Sequence, residues 1–463
     1  MEALPLLKED LENDDPEIRV EAMSRVSSIA VLLGAARFES DLLRLLSDFA
    51  QAEGQHDQVL QVLAEQLGQC IPLLPTARLV CLVDLLVFLC KADETVVRDK
   101  AAEALQTVLR GLDARAVVEV AVPAIQGLVT TEWFTGRVSA ASLFAAAYAP
   151  LAAAAAVAAG EGGSSSSSSP GEGCATLRKL FATLCEDETP MVRRAAARQL
   201  GALAAAYERE PLAAELLPQY LVLAQDEQET VRLLALECTR GLCSALAPAE
   251  RVSALLPLIK ACAGDKSWKV RNIMARDFHA LSVDFGAGLA GEQLLPLLRR
   301  LTRDPEGEVR ASSARAVAGY VGLLGLDRLT GDIVPALLDG ITDPLFSVRV
   351  AAIETLMQLS AHLTQEQAHR LVMPSMLAAL KDDVPEVRLA VLASLARVAP
   401  VLGGDKVDST LVPILTELAQ DRMWRVRDSV ISQLPLLTQS IVSRGGGGRA
   451  ASTLTLLWPG GAH

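Results

Sequence analysis

The sequence predicts an all-α protein, an α-solenoid of about eleven helical hairpins with a 39-residue period. Three observations support this prediction. Hydrophobic residues make up 51% of the 463 residues while aromatic residues make up only 4%, a balance that favours Ala- and Leu-rich helices packed against one another. Arginines recur at a constant interval of 39 residues. Within each interval, apolar residues form two stripes at helical spacing.

Each repeat is marked by an arginine, an aspartate six residues before it and a valine immediately before it. A proline precedes six of the seven regular arginines by fourteen residues, and we expect it to kink the first helix because it lacks an N–H. The register extends towards the N-terminus through Arg137, Arg98 and Arg19, with Leu60 at the missing position, which gives eleven repeats. The regular pairs are Asp187 and Arg193, Asp226 and Arg232, Asp265 and Arg271, Asp304 and Arg310, Asp343 and Arg349, Asp382 and Arg388, and Asp421 and Arg427.

The segment 367–400 shows what one repeat contains. Val372 and Met376 belong to an apolar stripe with i, i+4 spacing, and Val387 and Val391 begin a second stripe after a polar gap. The pattern predicts two amphipathic helices joined by a tight turn. Pro385 suits the first turn of the second helix, where a missing N–H costs no hydrogen bond.

The aspartates and arginines predict a ladder of ion pairs along one edge of the solenoid. Two helices cannot bury both of their apolar faces alone, so neighbouring repeats stack and their turns lie side by side. An aspartate of one repeat then reaches the arginine of its neighbour. The alternative is that the aspartate only caps its helix and the arginine is only solvated.

Two segments interrupt the repeats. A Gly- and Ser-rich insertion at about 160–173 is predicted to be disordered, and residues 444–463 form a low-complexity tail after a solenoid domain at 1–443.

Residues 139–159 carry no charge, but their alanine content and Pro150 favour a buried helix over a membrane span.

Charge and cysteine content limit the classes of partner and compartment. The formal net charge is −13, which disfavours nucleic acid and anionic lipid as main partners. The eight cysteines form no Cys-x-x-Cys motif and lie mostly in apolar helical runs. We therefore expect reduced, buried thiols in a cytoplasmic protein, with the nucleus as a second compartment. The N-terminus lacks the basic start and apolar core of a signal peptide.

No motif predicts catalysis, a cofactor or a metal site. The five histidines form no His-Glu-x-x-His motif and there is no Walker A motif. Gly286-x-Gly288-x-x-Gly291 falls between the seventh and eighth repeats and follows a helix rather than a strand, so we interpret it as an ordinary connection. His362 and His369 flank a helix cap at Thr364, and ordinary histidines are favoured there over a metal or pH role.

Proline in the first helix, aspartate in the turn and Val-Arg in the second helix together resemble the HEAT repeat. Longer strings resemble the scaffold (A) subunits of protein phosphatase 2A, in the same order and over about residues 1–440. They are ETVVRDKA at 94–101, WFTGR at 133–137, DETPMVRRAAA at 187–197, VRLLA at 231–235, DKSWKVR at 265–271, PEVRL at 385–389 and WRVR at 424–427.

The resemblance implies a non-catalytic scaffold within a heterotrimer, with interchangeable regulatory subunits on the N-terminal turns and a phosphatase catalytic subunit on the C-terminal turns. Three of the four tryptophans lie in turns, where binding and packing onto the next turn are the two interpretations. The implied regulatory-subunit residues are Glu94, Trp133, Phe134, Pro190, Met191, Arg193, Arg194, Trp268 and Lys269, and the implied catalytic-subunit residues are Trp424 and Arg425. Arg194 lies outside the ladder register, which makes it a better contact candidate than Arg193.

The family has fifteen repeats, so the resemblance implies that most of the catalytic-subunit site is missing from this sequence. The expected function is a phosphatase scaffold. The alternatives are an adaptor resembling HEAT-repeat nuclear transport receptors, and an enzyme with an unrecognised site.

Overall fold

The structure, a computed structural model, describes residues 3–160, 169–403 and 406–442. These residues form eleven helical hairpins, and none of them lies in a β-strand. The chain divides into two compact units, unit 1 at Met1–Leu246 and unit 2 at Ala247–His463. Unit 1 contains repeats 1–6 and unit 2 contains repeats 7–11. The tail predicted at 444–463 lies outside the described residues.

In unit 1, each repeat has a first helix, often divided into segments, and a second helix. The first-helix segments are Ala3–Leu11; Phe38–Leu42 and Leu43–Gln51; Thr76–Leu82 and Val83–Leu89; Ala114–Ala116, Val117–Ala121 and Val122–Val129; Pro170–Cys185; and Arg209–Pro211, Leu212–Leu216 and Leu217–Ala224. The second-helix segments are Pro16–Ser24 and Val26–Arg37; Asp57–Cys70 with Ile71–Leu73; Thr95–Gly111; Phe134–Gly160; Pro190–Ala206; and Glu229–Glu237 with Thr239–Ala245.

Unit 2 follows the same plan. Its first-helix segments are Pro248–Glu250, Arg251–Leu255 and Leu256–Cys262; Ala290–Leu294 and Leu295–Leu301; Leu326–Asp332 and Val334–Gly340; Gln365–Ala379; and Val407–Leu411 and Val412–Leu418. Its second helices are Trp268–Leu289; Gly307–Leu324; Phe346–Leu359 with Ser360–His362; Pro385–Leu402; and Trp424–Val442.

Within each unit, second helices of successive repeats pack against one another and form one layer, with the first helices packed onto it. In unit 2 the core is continuous from Ile341 to Leu434. The predicted stripes of repeat 10 lie in this core: Val372, Met376, Val387 and Val391 are all buried. The stacking is therefore the one expected of an α-solenoid, in which each repeat covers the apolar face of the next.

Most of the periodic prolines follow a change in helix geometry. In repeat 8, the segment Ala290–Leu294 is a π-helix, and the N–H of Leu295 bonds the carbonyl of Ala290 five residues back, just before Pro296. The same arrangement precedes Pro123, Pro218, Pro257 and Pro413. The expected disturbance is thus a π-turn, which suits a position whose next residue has no N–H to donate.

The proline is neither necessary nor sufficient for this π-turn. A π-turn also forms at Phe38–Leu42, where the corresponding position is Arg44. Conversely, Pro374 lies inside the continuous α-helix Gln365–Ala379.

Most links between successive repeats of unit 2 share one backbone geometry. Gly286, Gly325 and Gly403 have φ of 79°, 79° and 83° with ψ between 150° and 161°. Thr364 occupies the equivalent position of the remaining link in unit 2, with φ −68°, ψ 160° and a capping box with Gln367. The Gly-x-Gly-x-x-Gly motif is therefore a helix-to-helix link, preceded by a helix as expected.

The predicted insertion at 160–173 is too long at its C-terminal end. Ser169 accepts the N–H of Glu172 and caps a helix that begins at Pro170, so 170–173 are helical. Proline at the first helical position and a serine cap favour a helix start despite the two glycines nearby. Residues 161–168 lie outside the described residues.

The uncharged segment lies in the second helix of repeat 4. By length and composition alone, Phe134–Ala158 could cross a membrane, and 44% of its most apolar window is buried within the protein. The helix packs against the second helices of repeats 3 and 5, and Phe144, Tyr148 and Leu151 are fully buried. This packing supports the interpretation as a core helix.

Candidate binding surface

The turns of successive repeats are joined by arginine–aspartate pairs. In five of these pairs the arginine Nε donates to one carboxylate oxygen of the next turn at 2.6–2.7 Å, and in the sixth Arg388 Nη2 donates to Asp421 Oδ1 at 3.2 Å. The pairs within unit 1 are Arg137–Asp187 and Arg193–Asp226; those within unit 2 are Arg271–Asp304, Arg310–Asp343, Arg349–Asp382 and Arg388–Asp421. These turns thus form the predicted ladder.

Each ladder residue also holds its own turn in shape. Arg310 donates from Nη1 to the carbonyl of Asp304 at 2.7 Å, and from Nε and Nη2 to the two carboxylate oxygens of Asp343 at 2.7 and 2.9 Å. Asp343 Oδ1 in turn accepts the N–H of Leu345 at 2.9 Å. Capping alone therefore does not describe the aspartate, because it caps its own turn and also pairs with the arginine of the neighbouring repeat.

Arg232 and Arg427 make the same contact within their own turns. Their Nη1 atoms donate to the carbonyls of Asp226 and Asp421 at 2.8 and 2.7 Å. Asp265 accepts the N–H of Ser267 at 2.7 Å.

Three ladder carboxylates, those of Asp304, Asp343 and Asp382, have lowered pKa values. Burial alone would raise the pKa of Asp343, but hydrogen bonds from Arg310 and the Leu345 N–H, with the charges of Arg310 and Arg349, outweigh burial and lower it. Asp304 and Asp382 show the same balance of causes and the same direction of pKa shift. The ladder therefore favours the ionised carboxylate, as expected for a two-pronged guanidinium pair.

Among the described residues, the first three repeats lack this ladder. Thr131 stands 33 residues after Arg98, where the aspartate would be, and Arg98 bonds the carbonyls of Ala92 and Asp93 and the hydroxyl of Thr95 instead. In repeat 2, Gly54 stands at the position of the ladder aspartate and Leu60 at the position of the ladder arginine. In repeat 1, the Nε of Arg19 has no hydrogen-bond partner.

Large apolar side chains are exposed on these turns. Trp133 is 76% exposed and Trp424 64%, while Trp268 is 37% exposed, so protein covers most of its surface. Packing therefore accounts for part of Trp268 but for little of Trp133. Exposed aromatic side chains of this size are typical of protein–protein contact sites.

The other implied residues of unit 1 lie on the turns of repeats 3–5. Glu94, Phe134, Pro190 and Met191 are exposed. Trp133 and Phe134 lie four and three residues before Arg137, which binds Asp187 and the hydroxyl of Thr189 on the next turn. Consecutive turns carrying implied contacts are therefore directly connected.

Arg193 and Arg194 have different environments. The Arg193 side chain is only 12% exposed and binds Asp226 and its own turn, so its geometry supports a structural role rather than a contact with a partner. Arg194 is half-buried, and its Nε lacks a hydrogen-bond partner. In unit 2, Lys269 and Arg425 are exposed beside their tryptophans.

Two further candidate contact residues were not predicted from the sequence. Leu345 and Phe346 are each 48% exposed, on the turn of repeat 9. They stand four and three residues before Arg349, the same register as Met423 and Trp424 before Arg427. Comparison of register positions across the repeats, rather than a search for tryptophan, would have identified them.

Potential metal-binding and nucleophilic side chains outside the turns take part in packing and in contacts between helices. Among the described residues, no group of three or more His, Cys, Asp or Glu side chains is arranged to hold a metal ion. Burial raises the pKa values of the Cys70 and Cys90 thiols to about 12. His369 Nε2 lies 2.7 Å from the carbonyl of Leu402 and links the two helices of repeat 10.

Known proteins resemble this chain in sequence. The HEAT repeat profile matches residues 177–207 and 372–402. A probable phosphatase PP2A regulatory subunit of Caenorhabditis elegans is 36% identical over 207 residues, 44% of this chain and 32% of that protein. The protein phosphatase 2A scaffold subunit of Dictyostelium discoideum is 35% identical over 46% of this chain and 34% of its own length. The PP2A 65 kDa regulatory subunit of Drosophila melanogaster is 37% identical over 45% of this chain and 32% of its own length.

This chain thus spans about a third of the length of the curated relatives it matches. Their alignments cover less of the chain than residues 1–440, over which the similar strings are found.

Solved structures share the fold. Kap121p bound to Pho4p has a TM-score of 0.61 and 15% identity, covering 96% of this chain and 46% of that one. Kap95p, solved in connection with RanGDP, has a TM-score of 0.61 and 14% identity, covering 98% and 55%. At such low identity the likeness shows the fold alone. The chain is an α-solenoid containing HEAT repeats, and just under half of it is related in sequence to the scaffold subunits of protein phosphatase 2A.

Proposed function

We propose that the chain is a non-catalytic scaffold subunit of a protein phosphatase 2A-type serine/threonine phosphatase. The single observation that carries this proposal is the exposed pair Trp133–Phe134, on a turn held to its neighbour by Arg137 and Asp187. Relatives at 35–37% identity are named regulatory or scaffold subunits of this phosphatase.

The scaffold acts by position. The turns of repeats 3–5 and 7 receive a regulatory subunit, through Glu94, Trp133, Phe134, Met191 and Trp268. Trp424 and Arg425 on the turn of repeat 11 contact the catalytic subunit. Holding two proteins on one chain raises their effective concentration for each other. The exposed aromatic side chains supply the apolar contact area, and the ladder keeps the turns from moving apart within each unit.

The chain itself performs no chemistry in this proposal. Its ladder residues, such as Arg310 and Asp343, are paired with each other. Burial holds the Cys70 and Cys90 thiols in the protonated form. The compartment proposed is the cytoplasm, with access to the nucleus.

Co-purification tests the proposal. The full chain is mixed with a phosphatase catalytic subunit and a regulatory subunit, and the retained proteins are measured. We expect W133A/F134A to lose the regulatory subunit and W424A/R425E to weaken retention of the catalytic subunit. L32A is the matched control, because Leu32 is 79% exposed on a helix away from the turns.

The scaffold role would be overturned if the regulatory subunit, or the catalytic subunit, did not bind the wild-type chain. Binding of a small nuclear GTPase instead would favour the transport-receptor alternative, and turnover by the purified chain would favour an enzyme.

A further inference from the structure

Unit 2 contains a basic groove on the side formed by first helices. A cavity of about 540 Å³ lies between repeats 8 and 9 and is lined by four arginines together with Gly291, Leu295 and Pro296. The arginines are Arg299, Arg300, Arg303 and Arg328, and all four are exposed. None of the described residues that line the cavity is acidic, in a chain whose net charge is −13.

The groove brings together arginines from different elements. Arg299 and Arg300 lie in the last turn of Leu295–Leu301, where the helix dipole favours cations. Arg328 comes from the first helix of the next repeat, Leu326–Asp332, so the dipole does not explain its position. Arg303 lies beyond the end of this helix, on the turn that follows it. The helix dipole therefore accounts for only two of the four arginines.

Two of these guanidinium groups lie close against backbone of neighbouring segments. A Cβ on Gly291 would lie 2.9 Å from Arg328 Nη1, so the guanidinium rests directly against that glycine. Arg300 Nη2 donates to the carbonyl of Ala263 at 2.6 Å, and a Cβ on Gly264 would lie 2.9 Å from the same nitrogen. Arg303 Nη2 is 3.4 Å from Asp339 at an exposed position, a weak pair that solvent screens.

We propose that this groove binds a phosphorylated serine or threonine side chain of a partner protein. A phosphate has about two negative charges and three acceptor oxygens, which match several converging guanidinium groups. A cavity of this volume fits one such side chain and its neighbours. An extended polyanion would meet the net negative charge of the chain beyond the groove. The proposal does not depend on the phosphatase scaffold role.

Binding is tested on the full chain with a fluorescein-labelled peptide, Gly-Ala-Ala-pSer-Ala-Ala-Gly, by fluorescence anisotropy. We expect saturable binding that R328Q weakens at least tenfold and R328K weakens less. The matched control is R370Q, which removes the same charge from an exposed arginine on a first helix outside the groove. R299Q replaces R328Q if the latter lowers the thermal midpoint.

Other probes identify the ligand class. The same peptide with serine or glutamate at the centre should bind at least tenfold more weakly than the phosphopeptide. The proposal is overturned if the phosphopeptide does not saturate, if R370Q weakens it as much as R328Q, or if the glutamate peptide binds equally. Equal competition by inorganic phosphate, or R328-dependent binding of phosphatidylserine vesicles or single-stranded DNA without phosphopeptide binding, would also overturn it.

Discussion

The side chain of a ladder aspartate both caps its own turn and forms an ion pair with the neighbouring repeat. Lowering the pH removes the carboxylate charge, on which the ion pair depends. Asp343 Oδ1 accepts the Leu345 N–H, and both oxygens accept from Arg310. D343N keeps an oxygen for the N–H but removes the charge. At neutral pH we expect it to lower the free energy of unfolding by about 1.5–3 kcal/mol, the range for hydrogen bonds to charged groups.

This difference should depend on pH in one direction. The pKa of Asp343 is lowered in the folded state, so the carboxylate's contribution is fully present above the unfolded value of about 3.9 and is lost as pH falls through the folded-state value. Urea unfolding of wild type and D343N between pH 7 and pH 2.5 measures this. The gap between the two proteins should close below pH 4. A gap that stays constant would show that the charge contributes nothing.

The interrupted start of the ladder offers a gain-of-stability test. T131D places a carboxylate 33 residues after Arg98, the spacing of the ladder pairs in regular repeats. We expect a gain of up to about 1 kcal/mol, because the pair remains partly solvated. Urea midpoints measure the gain. R98A/T131D is the control, and a gain that persists without Arg98 would contradict the pairing.

At this scale the sequence predicted the ladder because both members of each pair keep the same period, so a contact between repeats is visible as a correlation along the chain. It did not predict Leu345 and Phe346. An apolar side chain on a turn has the same composition whether it is exposed or packed, and only the structure shows that these two are 48% exposed.

At the scale of helices, the links require a particular backbone geometry. Gly325 has φ 79° and ψ 157°, a region essentially restricted to glycine. G325A should therefore lower the free energy of unfolding by about 1–3 kcal/mol. G322A is the matched control, three residues earlier and inside the helix Gly307–Leu324, which Gly325 caps. An added Cβ there meets no atom within 4 Å, and we expect a small gain in stability of up to about 1 kcal/mol.

Thermal unfolding of the two variants gives the comparison directly. Equal effects of G325A and G322A would show that the link tolerates any residue. Thr364 already shows how a non-glycine residue adapts at the equivalent position, since it keeps ψ near 160° and moves φ to −68°.

Helix boundaries were only partly predictable. Pro385 and the cap at Thr364 lie where sequence rules place them, because caps and first-turn prolines act locally. The π-turns were not specified in the sequence, since one forms without a proline and Pro374 lies in a continuous helix. The same limit applies to the insertion, where Ser169 and Pro170 begin a helix within a segment predicted to be disordered.

At the scale of the molecule, a repeat array distributes its stability among nearest neighbours. Removal of one ladder pair should then loosen the repeats that it joins and leave distant ones unchanged. R310A breaks the pair between repeats 8 and 9 in unit 2 and leaves Asp343 buried without its main partner. Protection of backbone amides from hydrogen exchange reports such local opening.

Hydrogen exchange measured by mass spectrometry tests this for both units in one experiment. In R310A we expect exchange on the order of tenfold faster at 290–362, following from a loss of about 1–3 kcal/mol, and unchanged exchange in unit 1. R315A is the matched control, because Arg315 is exposed on the same helix and its removal makes the same change in charge. If R315A speeds exchange as much as R310A, net charge rather than the ladder governs stability. If both units respond equally to R310A, the repeats unfold as one cooperative body, and the ladder does not act between neighbours alone.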